Sequence, residues 1–326
     1  MKLLTIFLVM IVSVSSHSAT IGRHMEMSRQ YQTGDEFMGI RLLGTLDLSG
    51  LPIKGMAAHE LSGLAWDEDD QILYAVSDKG YLVHLRPIFV KNILKNIELL
   101  DAYYLVNEEG KKVSKPDSEG LDIINGNNGI KGDSELIVSF ELKPRIYRYS
   151  TTGKFLEKYK LPKALNKIND YNYKNAALES FVIHPQLGYL TAPQMPLKKA
   201  QKNLRSIHDL KGQSWQFKPQ HEKHSSITDL EITEDGSVLI LERRYSNILA
   251  PIQSIIRKIK LNKSDQNNKV LPTEIVALFE SSKGWNIDNF EGLSRHKGKK
   301  YFMVSDDNNN LFQRTILVYF ELLEKN

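Results

Sequence analysis

The sequence contains no cysteine. That absence removes disulfide frameworks, thiolate nucleophiles, thiolate metal sites and an N-terminal lipid anchor on cysteine. Long apolar runs are nearly as scarce. The run from Leu3 to Val14 is too short for a ~30 Å hydrocarbon core, which needs about 20 apolar residues, and nothing comparable follows. Met1-Lys2 precedes it and Ser15-Ser16-His17-Ser18-Ala19 follows, so residues 1–19 read as a signal peptide cut between Ser16 and Ala19. An uncleaved anchor is the other reading. The expected location is periplasmic or secreted, with no membrane span in the mature chain. A large charge of one sign is also missing. The formal net charge of +4 gives no footing for broad nucleic-acid binding. One basic stretch stands out from Met195 to His224, where seven lysines and arginines face only Asp209 and Glu222. It is either a solvated loop or a flap that attracts anions. Nothing inside resembles a flexible linker. We therefore expect a flexible segment over 20–38 and one domain over 39–326.

What is present is a repeat. Glu60-Leu61-Ser62-Gly63-Leu64 recurs as Asp117-Ser118-Glu119-Gly120-Leu121, Ala177-Leu178-Glu179-Ser180-Phe181, Ser226-Ile227-Thr228-Asp229-Leu230 and Asn289-Phe290-Glu291-Gly292-Leu293. Taken at the Gly63 position, the intervals run from 49 to 63 residues. A fixed unit of this length dictates architecture before local propensity does. Each copy leads through a polar turn into a second β-rich run: Ile72 to Val76, Glu135 to Phe140, Gly188 to Thr191, Ser237 to Leu241 and Tyr301 to Val304. Further runs, such as Arg145 to Tyr149 with Phe155 to Lys160, bring a unit to four strands. Radial repetition of four-stranded antiparallel sheets makes an all-β propeller. Five blades are countable, and a sixth could hide in Val90 to Val113 or in the basic stretch. The last unit lacks an outer strand, which the N-terminal run Ile40 to Leu48 can supply. A two-sheet sandwich would give no reason for the repeat.

In a propeller the innermost strands line a channel, and their starts share a face with the turns after the second strands. Two sets of residues should therefore meet at one mouth. The first is Glu60, Asp117, Glu119, Glu179, Asp229 and Glu291. The second is Ser77-Asp78-Lys79-Gly80, Phe140-Glu141, Glu242-Arg243-Arg244 and Ser305-Asp306-Asp307-Asn308. Crowded carboxylates are tolerable only if protonated, paired or bound to metal. Glu60, Asp117, Glu119, Glu179, Asp229, Glu291 and Asp306 are the candidate ligands. All-oxygen donors suit Ca²⁺, with Mg²⁺ or Mn²⁺ less well matched. No H-E-x-x-H spacing favours zinc, and neither a G-x-S-x-G elbow nor a P-loop occurs. Ester hydrolysis here would use a cation-activated water and a non-ligating carboxylate as base. Glu242, Arg243 and His296 are the candidate catalytic groups. Lys79, Arg244 and Arg295 are candidates to hold an anionic substrate, and His59 is a further acid or base candidate.

These residues carry a resemblance. Ser62-Gly63-Leu64, Ser77-Asp78, Glu119-Gly120-Leu121, Leu239 to Arg243, and above all Asn289 to Leu293 with Val304 to Asn308, resemble the phytase-like domain family, also described as having esterase-like activity. The match runs from about Gly39 to Leu323. It implies a secreted or periplasmic propeller with a calcium-dependent phosphoesterase or esterase role, in which Glu119, Glu179 and Glu291 match a recurring glutamate and Glu242-Arg243 a later acid-base pair. Ser62 and Thr228 depart from that pattern, as does Ala192-Pro193-Gln194, which has no acid. The expected partner is a small anionic ester bound by a monomer. The alternative is a non-catalytic propeller whose structural cation ties its blades while a face recognises an envelope component.

Overall fold

The computed structural model describes residues 19–48, 52–244, 250–265, 269–308, 310 and 313–324. The signal-peptide reading of 1–19 therefore lies almost wholly outside the described residues. Five antiparallel sheets form five blades. From the channel outward, blade 1 holds Leu61–Asp67, Ile72–Ser77, Tyr81–Val90 and Ile93–Tyr104, with Ala19–Thr20 at its edge. Blade 2 holds Ser118–Ile124, Glu135–Phe140, Arg145–Ser150 and Phe155–Tyr159. Blade 3 holds Leu178–His184, Gly188–Pro193, Arg205–Asp209 and Ser214–Phe217, with Val270–Leu271 added in parallel. Blade 4 holds Ser225–Ile232, Val238–Arg244, Gln253–Ile259 and Glu274–Glu280. Blade 5 holds Asn289–Lys297, Lys300–Asp306 and Ile316–Leu322 from the C-terminal part, then Ile40–Leu48 from the N-terminal part.

That last pairing closes the ring as expected, with Leu46 opposite Leu317 and Thr45 opposite Val318. Among the described residues no sixth blade forms. Ile93–Tyr104 is the outer strand of blade 1, and the basic stretch supplies the outer half of blade 3. Gly22–His24 and Glu36–Phe37 both pair with the closing strand, and Met27 is buried beside Trp285. Helix among the described residues is limited to three short 3-10 turns, and none is long and apolar enough to cross a membrane.

The core follows from the blades. Five apolar clusters fill the five wedges between neighbours. Between blades 1 and 2, for example, Tyr74 and Leu82 pack on Leu136 and Phe140. At the repeated glycines, nearer the axis, there is no room for a side chain. A Cβ on Gly63 would sit 2.3 Å from the Glu119 carbonyl oxygen, and one on Gly120 would sit 2.4 Å from the Phe181 nitrogen. The repeated glycine is thus the point where inner strands of adjoining blades touch backbone to backbone.

Candidate metal centre at the channel mouth

Each inner strand carries an irregularity at the same place. In blades 1, 3, 4 and 5 the ladder skips Ser62, Glu179, Thr228 and Glu291, and in blade 2 Glu119 and Gly120 together face Ser139. A β-bulge leaves one residue outside the pairing and re-aims its side chain. The position before the repeated glycine is therefore the bulge of every blade, and its side chains form a ring at the channel mouth. A second ring comes from the residues opposite the inner-strand starts. The register places Asp78 across from Glu60, Glu141 across from Asp117, Gln194 across from Ala177, Arg243 across from Ser226 and Asp306 across from Asn289. Backbone bonds lock the two rings together: the Asp78 N–H donates to Glu60 O, the Asp117 N–H to Asp78 O and the Glu141 N–H to Asp117 O.

The mouth is a cavity of about 970 Å³ lined by Asp78, Asp117, Glu119, Glu141, Glu179, Arg243, Glu291 and Asp306, with Leu142 and Ile252 as an apolar wall. Seven carboxylates thus face one cationic side chain among the described lining residues. Asp78, Asp117 and Glu119 bring ligand oxygens within 4.8 Å of one another. Asp117 Oδ2 and Glu141 Oε1 are buried with no hydrogen-bond partner. Among the other acids Glu291 is well supplied, accepting from Asn289 and Ser62 as well as from Arg243. Ser62 Oγ donates to Asp78, Gln194 Nε2 donates to Glu179 at 2.5 Å, and Arg243 Nη1 donates to Glu291 at 2.8 Å.

Burial, compounded by like charge, raises their proton affinity. Burial and then the Glu291 charge push Asp306 up to about 8, and burial pushes Glu141 up to about 8. Asp78 and Glu119 stand well above the ordinary carboxylate range from burial and then from their acidic neighbours. Glu291 is raised by burial, with Arg243 opposing. Such a set must hold protons or a cation. Its acidic donors are all hard oxygens, with no imidazole among the described lining residues, a donor set that suits a hard divalent cation.

The structure brings together Asp117, Glu119, Glu179, Glu291, Asp306 and Arg243 from the expected set. It separates the others. Glu60 sits at the rim in an ion pair with Lys79 at 2.9 Å. Asp229 occupies the glycine position, one residue past the bulge, where its carboxylate accepts the N–H groups of Leu293 and Leu230. Glu242 and Arg244 flank Arg243, and the period-2 alternation of a strand turns them away from the mouth. Glu242 is fully buried against the Gln220 N–H, Ser225 Oγ and Arg257. Arg295 and His296 lie near the far end of the blade 5 inner strand, about 13 and 16 Å of strand beyond Glu291, in a separate cavity of about 870 Å³. There His296 stacks on Phe89, and burial pushes it down to about 4. His59 binds Asp307 through Nδ1 at 2.5 Å, outside the mouth lining. Asp78 and Glu141 belong at the mouth although they were not among the candidate ligands. Their place after the second strands was the available signal.

The family model described as "Phytase-like: Esterase-like activity of phytase" matches residues 57–309, which spans the inner strands of all five blades. The chain belongs to this phytase-like family. No curated protein matches it. Among solved structures, the Cps50 (Swd1) beta-propeller domain of Myceliophteria thermophila is 11% identical, with a TM-score of 0.39, over 93% of this chain and 99% of that one. Hydrazine synthase of Kuenenia stuttgartiensis is 9% identical, with a TM-score of 0.37, over 78% of this chain and 59% of that one. In this phytase-like chain, the matched region contains all seven mouth carboxylates and Arg243.

Proposed function

We propose that this phytase-like propeller is an exported hydrolase of phosphate or carboxylic esters that depends on a divalent cation, Ca²⁺ by preference, held at the acidic mouth. The observation that carries the reading is the triad Asp78, Asp117 and Glu119, set among further acids with Asp117 Oδ2 and Glu141 Oε1 left without donors, opposite the guanidinium of Arg243. Asp78, Asp117 and Glu119 would hold the cation. When bound, it supplies charge neutralisation and polarises the ester's P=O or C=O oxygen. The chain does the rest. Arg243 has more donors than Glu291 takes, and its fork suits phosphate or carboxylate oxygens. Glu179 stands outside the triad with one oxygen held by Gln194. Burial and the Glu141 charge make it the stronger base once deprotonated, and it accepts the proton of the attacking water. Leu142 and Ile252 carry the apolar part of the substrate and limit water on that side.

The test is turnover of a phosphate monoester and a carboxylic ester, first with excess Ca²⁺ and then with chelator. Chelator-sensitive turnover of either ester supports the reading. No turnover of either in Ca²⁺ overturns it.

A further inference from the structure

Beside the mouth, two segments join on the same face of blades 2 and 3. Residues 160–177 lead from the outer strand of blade 2 to the inner strand of blade 3, and residues 195–204 leave the second strand of blade 3. They are zipped together. Tyr171 bridges Leu197, the Lys198 N–H donates to Asp170 O at 2.9 Å, and Lys202 Nζ reaches Asn172 Oδ1 and the carbonyls of Leu197 and Lys198. Below them the buried Arg205 donates to the carbonyls of Lys202, Leu204, Glu222 and Ser225. The result is a built shelf, not a loose flap. These two segments hold seven lysines and one acidic residue, Asp170, against a whole-chain excess of only +4. A groove of about 410 Å³ on the shelf is lined by Lys163, Lys167 and Lys199 together with Ala164, Leu197 and the acidic Asp170. Segment 160–177 then descends through Asn175 into the lining of the acidic cavity.

We infer that this shelf binds a linear polyanion without nucleobases, an anionic polymer whose repeating charges lie along the groove while one of its ester linkages reaches the mouth. The inference rests on the hydrolase reading for the linkage at the mouth, but the binding surface stands separately. Three observations select this ligand. Three lysines contributed by both segments, against one acid, leave the groove net positive, which suits repeated charges along a chain. Among the described residues no aromatic side chain lines the groove, the exposed Tyr173 of the same segment lying outside its lining, whereas single-stranded nucleic acids are held on aromatic stacking platforms. The groove is concave, which suits a chain better than a planar lipid surface.

The experiment measures binding of long-chain inorganic polyphosphate to the full protein across a salt series, for wild type, for a shelf variant and for a control variant. The shelf variant carries Lys163→Gln, Lys167→Gln and Lys199→Gln. The control loses the same charge elsewhere, through Lys91→Gln, Lys95→Gln and Lys263→Gln. Release of counterions contributes about 0.7 per neutralised charge to the slope of log K against log salt on a flexible chain. The shelf variant is therefore expected to lose about two from the slope and roughly tenfold or more in affinity at low salt, while the control keeps both. Equal binding by wild type and shelf variant overturns the inference, as does equal loss in both variants. Capture by phosphatidylglycerol vesicles with no polyphosphate binding also overturns it, in favour of a membrane surface. Polymer binding with the expected variant pattern, in a protein that turns over no ester, would sustain the shelf and reject the hydrolase.

Discussion

Asp117 and Glu141 come from opposite strands of blade 2, and each leaves a buried oxygen without a donor. A Ca²⁺ ion in the triad answers that deficit directly. Ligand at a hundred times its Kd stabilises a protein by about 2.7 kcal/mol, so Ca²⁺ at that excess should raise wild-type stability by this amount. Asp117→Asn should lose most of the gain in a denaturant titration. Glu141 and Asp306 set a pH dependence in the metal-free protein. Glu141 and Asp306 bind protons more tightly folded than unfolded, so the native state holds extra protons between about pH 4 and about pH 8. Their contribution is fully present below the ordinary carboxylate range and is lost as pH rises through about 8. Chelated protein should therefore melt at a higher temperature at pH 5 than at pH 8, and saturating Ca²⁺ should remove most of that difference. Arg243→Ala should raise KM for an anionic ester roughly tenfold or more, as expected for loss of one charge-assisted contact of about 1.5–3 kcal/mol.

At the scale of the strand, the bulge decides which residues become the site. Moving the register by one residue turns every side chain to the other face. The repeat in the sequence located the inner and second strands closely; Glu135–Phe140 and Ile40–Leu48 have the expected bounds. It did not reveal which face each residue takes. Glu242 and Arg243 are adjacent, yet only Arg243 faces the mouth. Asp229 aligns with the acids by type but holds the glycine position, and it serves the backbone of blade 5. Arg295 and His296 follow the last motif so closely that sequence distance hides the strand length separating them from Glu291. The glycine itself is testable. In Gly120→Ala the new methyl would meet the backbone of Ser180 and Phe181, which cannot rotate away. We expect a loss of about 1–3 kcal/mol or more, read by thermal melting, with Ca²⁺ affinity reduced because Glu119 shares the bulge.

Across the whole molecule, the ring is held shut by one strand from the other end of the chain. Ile40–Leu48 pairs with Ile316–Leu322 and packs toward blade 1 through Leu43, Leu46 and Leu48. An open ring would expose a sheet edge and an apolar wedge at once. Leu46→Pro removes a ladder donor opposite Leu317. It should accelerate amide exchange across Ile316–Leu322 before it affects blades 2 and 3, and uniform exchange in all blades would show that closure is not the weak point. Closure also fixes the distance between blade 1, which supplies Asp78, and blade 5, which supplies Glu291 and Asp306. The site therefore exists only in the completed ring.

The central claim is that the mouth is a cation site made by the two rings, and calorimetric titration of Ca²⁺ into chelator-stripped protein tests it most directly. The measurement is made near pH 7 in two buffers of different ionisation enthalpy, with wild type, Glu119→Gln and Glu60→Gln. The account predicts saturable binding with proton release, because Glu141 and Asp306 carry protons until the cation displaces them. It further predicts at least a tenfold loss in Glu119→Gln, by analogy with the loss of a charged ligand contact, and near wild-type affinity in Glu60→Gln, whose acid is already paired with Lys79. Absence of saturable binding, or equal affinity in wild type and Glu119→Gln, would contradict it.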